Sequence, residues 1–408
     1  RPAVLVCDLD GFKEVNDLLG HRVGDQLLSL AAHRIMGCIR EQDTAARLGG
    51  DEFGILLDEI TDEAQAHHIA ARLLDCLSDP FDTIDGQVRV RLSIGVAFNE
   101  DPLDTAELLI NSADTAMYVA KALGKGRVEQ FHPDMRAAEL DRLELEAALR
   151  DAVRDDLITV QYQPVVALDT GAVDGFEALA RWRHPTLGQV PPDVFIAAAE
   201  RIGLIRQLGR QILAKAHAGG LVLAAAAGRP VSLGVNLSAL QVSDDTLADE
   251  VRRLQEEHAQ VRLILELTEG VMLSNDPVTV AAIEGLKSAG VRLAIDDFGV
   301  GYSSVGYLHR LPVDILKIDK LFVSELHDPR SHALVEGVVS MARAMNLTVV
   351  TEGVEDWSSA RSLRDLHCDL AQGFLFSRPI DLDAACALIV EGSIDVSPMS
   401  AEIAAGAL

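Results

Sequence analysis

Five carboxylates, three amides and one lysine close a series of short apolar runs in the second half of this chain. Gathered in one place, side chains of these types bind divalent metal and phosphate. They are Gln163 after LITVQY, Glu177 after VDGF, Asn236 after VSLGV, Glu266 after RLIL, Asp296 and Asp297 after RLAI, Lys317 after DIL, Glu352 after TVVT and Gln372 after DLA. One acid in such a position commonly caps a helix or pairs with a lysine at a rim. Five together repel one another unless a cation joins them, so their convergence predicts divalent metal.

The elements that must position them follow from the spacing. The runs are rich in Val, Ile and Leu, and helix-length stretches separate them. Such runs predict parallel strands buried on both faces, closed into an α/β fold, a (β/α)8 TIM-like barrel with its chemistry at the C-terminal strand ends. A barrel takes about 250 residues, and a chain of 408 has room for one more domain ahead of it.

Residues 1–131 mix strand patterns (AVLVCDLD, FGILLDEI, VRVRLSIGVAF) with helical ones, which predicts an α+β domain with antiparallel strands. Two loci there carry chemistry: Asp8-Leu9-Asp10-Gly11-Phe12-Lys13 at the end of the first strand, and Gly49-Gly50-Asp51-Glu52-Phe53 between two strand-like runs. Gly-Gly suits a tight hairpin needing positive φ. With that hairpin beside the first strand, Asp8, Asp51 and Glu52 converge where two metal ions could clamp a triphosphate for in-line attack, and Lys13 could meet the phosphates.

Residues 132–152 are charged, rich in Ala and Leu, and read as a connecting helix; the barrel then covers 153–392, and 393–408 form a small-residue tail expected to fray. Net charge is −27, which argues against broad attachment to nucleic acid or anionic membrane, so an anionic substrate needs local cations. Five scattered cysteines without a CxxC pair fit a reduced cytoplasm. The most apolar stretch, around Gly219 to Gly228, is too short to span a bilayer, and this part of the chain is expected to make no direct membrane contact. The start at Arg1, straight into an apolar strand, predicts a fragment of something longer whose upstream sensor or anchor is not visible.

The motifs of the first domain closely resemble the GGDEF family of diguanylate cyclases, which condense two GTP into cyclic diguanylate on a fold similar to the nucleotidyl cyclase palm. The resemblance implies Mg2+ with GTP, held by Asp8, the Leu9 carbonyl and Asp51, with Glu52 as the neighbouring signature acid. It makes Asn16 and Asp25 guanine readers, and Lys121 and Lys125, one helical turn apart in AKALGKGR, a phosphate-contacting pair. Arg40 and Asp43 form an RxxD whose usual reading is a surface ion pair at helical spacing; in this family it resembles the inhibitory product site. The given sequence begins after the Leu-Thr-Gly-Leu-Pro-Asn-Arg-like segment common in the family, so the resemblance implies an N-terminally truncated domain.

The second set resembles the EAL family of cyclic diguanylate phosphodiesterases, with EALARWRHP, VNLS, LELTE, DDFG, KID, TEGVE and QGF in family order. The resemblance implies two Mg2+ or Mn2+ ions per site. Glu177, Asn236, Glu266 and Asp296 would hold one, and Asp296, Asp297 and Glu352 the second, with Asp296 bridging. A water between the metals would attack phosphorus in line while Lys317 offsets the growing charge. Arg181, Gln163 and Gln372 would bind substrate, and Glu269 would support the loop DDFGVGYSSVGYL. Val300 stands in that loop where Thr is frequent. His184, His309 and His327 have no HxH or HxxxH partner and read as packing or surface residues.

Taken together, the chain resembles a bacterial, cytoplasmic tandem GGDEF–EAL protein that hydrolyses cyclic diguanylate to linear pGpG, with synthesis from two GTP assigned to the first domain. Each cyclase domain holds one GTP, so a homodimer is implied. Two rival readings are a phosphodiesterase whose first domain senses GTP without synthesis, and a receptor that binds cyclic diguanylate without cutting it.

Overall fold

The computed structural model describes residues 1–99, 105–273, 276–299 and 312–399. Two compact units divide the chain, Arg1–Glu144 and Leu145–Leu408. A helix, Pro133–Arg154, runs across the division, and its last turns bury Leu149, Ala152 and Val153 in the core of the second unit.

In the first unit, β1 (Ala3–Asp10) lies at the centre of a sheet with β2 (Thr44–Gly49), β3 (Glu52–Leu57), β6 (Arg91–Phe98) and β7 (Val128–Gln130), in the order β2-β3-β1-β6-β7. β4 (Phe81–Thr83) and β5 (Gly86–Val88) make a separate small hairpin. All of β1 is buried because both faces are covered. Ala3, Leu5, Cys7 and Leu9 join the core under helices His21–Cys38 and Glu63–Ser78, whereas Val4 and Val6 meet helix Ala106–Ala122 through Leu109, Ala113 and Met117. The expectation of antiparallel strands holds except at the edge: β7 runs parallel to β6, because a helical crossover separates them.

In the second unit, β8 (Thr159–Ala167), β9 (Val173–His184), β11 (Val231–Leu237), β12 (Val261–Thr268), β13 (Arg292–Phe298), β14 (Ile315–Ile318), β15 (Thr348–Thr351) and β16 (Leu370–Ala371) close into a barrel, with β10 (Gly188–Val190) as a hairpin partner of β9. Two details correct the reading of eight parallel strands that each stop on a functional residue. β8 is antiparallel to both neighbours, β9 and β16. Only 168–172 join it to β9, through a turn with Gly171 at φ +72° and a Gly171 N–H bond to the Ala167 carbonyl of 2.8 Å. A parallel crossover needs about a dozen residues or more, so this connection can only reverse the chain. Nor does β9 stop at Glu177; it continues to His184, and its second half pairs with β8 and β10.

The apolar stretch near Gly219 belongs to helix Ile205–Ala227, and no helix among the described residues is long and apolar enough to cross a membrane. The tail expected to fray from 393 is held as far as Met399. The Ile394 N–H bonds the Gly171 carbonyl at 2.8 Å, Arg361 Nε donates to the Met399 carbonyl at 2.7 Å, and Met399 is buried. Apolar residues at 394, 396 and 399 give this segment a face to bury.

Helix Ala106–Ala122 approaches β6 so closely that a Cβ on Gly95 would lie 2.0 Å from the Ala113 carbonyl oxygen and 2.1 Å from the Met117 nitrogen. These are backbone atoms, so the helix itself would have to move. Gly95→Val should therefore lower the stability of the first unit by about 3 kcal/mol, the upper part of the usual overpacking range. Thermal denaturation should show its transition falling while that of the second unit stays in place; an unchanged first transition would contradict this packing.

Candidate active sites

Strand ends bring the barrel residues to one rim. Glu177, Asn236, Glu266 and Lys317 come from β9, β11, β12 and β14, while Glu352 and Gln372 directly follow β15 and β16. Because β8 runs the opposite way, Gln163 reaches the same rim from the middle of its strand, opposite Glu177 in register. Asp296 and Asp297 are adjacent in β13, where successive side chains should face opposite ways. The strand breaks that rule: its register with β14 shifts between Ile295 and Phe298, and Asp297 sits at φ +54°. Both carboxylates can then turn to one side, and ligand atoms of Asp296, Asp297 and Glu352 lie within 4.8 Å of one another.

Lys317 occupies the centre. Its Nζ lies 2.5 Å from Glu266, 2.6 Å from Glu352, 3.2 Å from Asp296 and 3.5 Å from Glu177. The side chain is only 3% exposed, so little water shares these contacts. Burial alone would lower the ammonium pKa, but the surrounding carboxylates hold it well above the usual lysine value. Burial raises Glu266 well above the carboxylate range, and Glu177 and Asp296 beside it push the same way. Burial also works against ionised Glu177, yet Lys317, Gln372 and Asn236 hold that group below its ordinary value. Glu352 is pushed up to about 7, chiefly by burial, with Asp296 and Glu177 adding to it against Lys317. Asp297 is raised by burial and by its neighbours Asp296 and Asp319.

Amides complete this layer. Asn236 Nδ2 donates to Glu177 at 2.6 Å, and Gln372 Nε2 donates to Glu177 at 2.7 Å and to Gln163 at 2.9 Å. Among the described residues, the buried Gln372 Oε1 has no hydrogen-bond partner. Gln163 donates in turn to the Ser377 carbonyl. Arg181 is partly buried, with Nε on Gln161 at 2.8 Å and a guanidinium N–H on the Ala180 carbonyl. Glu269 opens the short helix Glu269–Met272 and accepts the Gly299 N–H at 3.2 Å, at the foot of the DDFG loop. Val300 and most of that loop, His309 included, lie outside the described residues.

In the first unit, Asp8 and Glu52 are direct cross-strand partners, and the Leu9 N–H bonds the Asp51 carbonyl at 3.3 Å. Gly50, at φ +50°, makes the turn between β2 and β3, and Arg47 fastens its carbonyl with two N–H groups at 2.8 and 2.6 Å. Burial raises Asp8 against the pull of Lys121, whose Nζ is 2.6 Å away. Glu52 is raised by burial first, then by Asp114 and Asp8. Lys13 and Asn16 lie on helix Phe12–Leu19 and Asp25 on helix His21–Cys38. The two helices are so close that a Cβ on Gly24 would fall 2.0 Å from Asn16 Oδ1, which brings Asn16 beside the turn carrying Asp25.

One sequence expectation here is corrected, and the bland alternative for Arg40 and Asp43 does not hold. Lys121 and Lys125 do not share a helix face: the helix ends at Ala122, and Lys125 sits at φ +62° in the turn between Gly124 and Gly126. Arg40 and Asp43 are not an ion pair at helical spacing. Helix His21–Cys38 has already ended, and the Asp43 carboxylate instead accepts the Arg40 backbone N–H at 2.9 Å in a turn.

Sequence reasoning missed two supporting acids. Buried Asp10 accepts the Ser93 hydroxyl at 2.9 Å and the Gly126 N–H at 3.0 Å, fixing the turn that holds Lys125. Asp319, two residues past Lys317 in the KID motif, accepts the Leu321 N–H at 2.8 Å and lies close enough to Asp297 to raise its pKa. Position two beyond a strand-end lysine was the available signal.

Residues 1–127 match the family model described as diguanylate cyclase, GGDEF domain, and residues 146–379 match the EAL domain model. Cyclic di-GMP phosphodiesterase NbdA of Pseudomonas aeruginosa is 39% identical over 400 residues, 97% of this chain and 51% of that protein. Bifunctional diguanylate cyclase/cyclic di-GMP phosphodiesterase MucR of the same organism is 40% identical over 392 residues, 95% of this chain and 57% of that protein. The chain thus spans about half the length of these curated relatives. Among solved structures, the PaMucR phosphodiesterase in its c-di-GMP complex has a TM-score of 0.55 at 39% identity, covering 59% of this chain and 99% of that one. The EAL domain of Mycobacterium smegmatis DcpA has a TM-score of 0.51 at 35% identity, covering 58% and 100%. This chain belongs to the EAL-domain family, with a GGDEF domain of the diguanylate cyclase family preceding its EAL domain.

Proposed function

We propose that the barrel hydrolyses cyclic diguanylate to linear pGpG with two Mg2+ or Mn2+ ions, and that the first unit binds GTP with Mg2+ and synthesises cyclic diguanylate when two copies meet. The observation that carries the hydrolytic reading is the gathering of four carboxylates around Lys317, with Asp297 beside them. Were all five acids ionised, as ligands to metal must be, they would leave four negative charges against one ammonium, which two divalent cations would balance. Oxygen donors from Asp and Glu suit Mg2+ and Mn2+, so the residues fit the ions.

Glu177, Asn236, Glu266 and Asp296 would hold one ion, and Asp296, Asp297 and Glu352 the other. When bound, the pair supplies Lewis acidity and lowers the pKa of water enough for attack on phosphorus. Lys317 keeps its proton beside the reacting phosphoryl group and offsets charge there. Arg181, steadied by Gln161, would fork onto a substrate phosphate, and Gln163 and Gln372 would hydrogen-bond the ligand. Glu269, through the Gly299 amide, would steady the loop carrying Asp297.

In the first unit, Asp8, the Leu9 carbonyl and Asp51 would hold Mg2+ with Glu52 as the adjoining acid; Asn16 and Asp25 would read guanine, and Lys13, Lys121 and Lys125 would meet phosphates. Arg40 and Asp43 would form the inhibitory product site. Synthesis by two such domains implies a homodimer. All five cysteines stand free, which supports a reducing cytoplasm.

Incubation with Mg2+ or Mn2+ plus GTP, and separately plus cyclic diguanylate, followed by separation of products, tests both assignments. Glu177→Ala should abolish pGpG formation and leave synthesis intact, and Asp51→Ala should do the reverse. Cleavage undiminished in Glu177→Ala would defeat the barrel site.

A pH dependence follows from Glu352. Its carboxyl, near 4.5 in an unfolded chain, titrates at about 7 in the metal-free fold, so the fold binds this proton more tightly than the unfolded chain does. Stability from this group is therefore greatest at low pH and falls as pH rises from about 4.5 through about 7. In chelator, the melting temperature of the second unit should rise by about 3–6 °C between pH 8 and pH 6. Glu352→Gln should flatten that slope, as should saturating Mn2+. A slope of the opposite sign in chelator would show that Glu352 stays ionised.

A further inference from the structure

Gly234 lies in the interior of β11, paired with Ile264 on β12 and Glu177 on β9. A glycine inside a strand costs stability unless something needs its space. Here the need is not conformational, since only glycines at positive φ require that freedom and Gly234 is not among them. It is steric. A Cβ at this position would lie 2.2 Å from Glu266 Oε1 and 3.2 Å from its carboxyl carbon, with Glu177 Cγ at 3.6 Å. One oxygen of Glu266 thus rests over Gly234 while the other meets Lys317 at 2.5 Å.

The contrast with Gly175 separates two kinds of requirement. A Cβ there would meet the Ser232 backbone oxygen at 2.1 Å, so strand pairing itself would have to give way. At Gly234 the obstructed atom is the far end of a flexible side chain, and the barrel can keep its register by letting Glu266 swing. The cavity beside it, lined by Ser232, Ile264, Lys317 and Gln372 among others, holds about 30 Å³. That is room for about one water, so a carboxylate pushed off Gly234 has little space in which to keep its present contact with Lys317.

We propose that Gly234 is a positioning residue for metal binding: its missing side chain is the seat across which Glu266 lies to reach the shared carboxylate cluster. The inference rests on the reading of Glu266 as a metal ligand. Replacement by alanine leaves the fold and moves the ligand.

Mn2+ binding to the whole chain, measured by calorimetry and by the electron paramagnetic resonance of free Mn2+, is compared for the unsubstituted protein, Gly234→Ala, Glu266→Asp, Glu266→Gln and the double variant Gly234→Ala/Glu266→Asp, with melting temperature as the check on folding. Gly234→Ala should fold and bind Mn2+ at least about tenfold more weakly, the scale of losses at residues that orient ligands. The shorter acid in the double variant withdraws from the new methyl group, so its affinity should match or exceed that of Glu266→Asp alone. Two results would overturn the proposal by itself: unsubstituted-like Mn2+ affinity in Gly234→Ala while Glu266→Gln loses binding, or strictly additive losses in the double variant, which mark general disruption. Undiminished Mn2+ binding in Glu266→Gln would overturn it together with the ligand reading beneath it.

Discussion

Like charges held together where water cannot screen them are the constraint on which the barrel rim depends. At about 4 Å and an effective dielectric of about 20, two unit charges repel by about 4 kcal/mol. Glu177 and Glu266 are each about 95% buried and share one ammonium, so neither can shed that repulsion to solvent. The fold meets it in three ways: Lys317 contacts four acids, Asn236 and Gln372 donate to Glu177, and Glu266 and Glu352 tend to keep a proton. A barrel suits this arrangement because each group comes from a different strand, with backbone bonds spent within the sheet and side chains left free to face inward.

The same constraint explains irregularities that would otherwise cost stability for nothing. Asp297 adopts a left-handed conformation that a non-glycine residue rarely takes, and β13 loses regular register with β14 there. That strain lets two adjacent acids serve one cluster. Gly234 gives up a side chain inside a strand, and Glu266 fills the space. Both of these departures from regular strand structure lie within reach of the carboxylates, where some interaction can offset their cost.

Much of this was legible because it is periodic. Apolar runs with a polar residue at the end mark strands, and the order of their end groups leads to the barrel and to the acids that meet in it. What escaped depends on connection length and on neighbours remote in sequence. Apolar runs alone predict a parallel β8, although 168–172 are too few for a crossover, and a β9 that stops at Glu177, although hairpin partners extend it to His184. Spacing puts Lys125 one helical turn beyond Lys121, but the helix ends at Ala122, and spacing alone does not show where a glycine turn begins. Asp10 and Asp319 were overlooked because their work is to hold backbone amides contributed by other segments, Gly126 and Leu321. Gly234 carries no chemical signal at all; its role is a volume, visible only once Glu266 lies over it.

The acidic site of the first unit solves a smaller version of the same problem differently. Asp8 is nearly buried and Glu52 is its direct partner across the strands, but the cation beside them, Lys121, is 30% exposed and arrives from a helix end. Solvent can therefore share in screening these charges, and an ion pair of this kind is worth little next to an enclosed one. Rigidity comes instead from the backbone: the Gly50 turn clamped by Arg47, the Leu9 amide on the Asp51 carbonyl, and Asp10 fixing the Gly126 turn. A site framed by turns leaves its cation, Lys121, partly open to water. One built on a buried lysine among strand ends holds its charges in place before any ligand arrives, and this division of labour follows from where each cation sits.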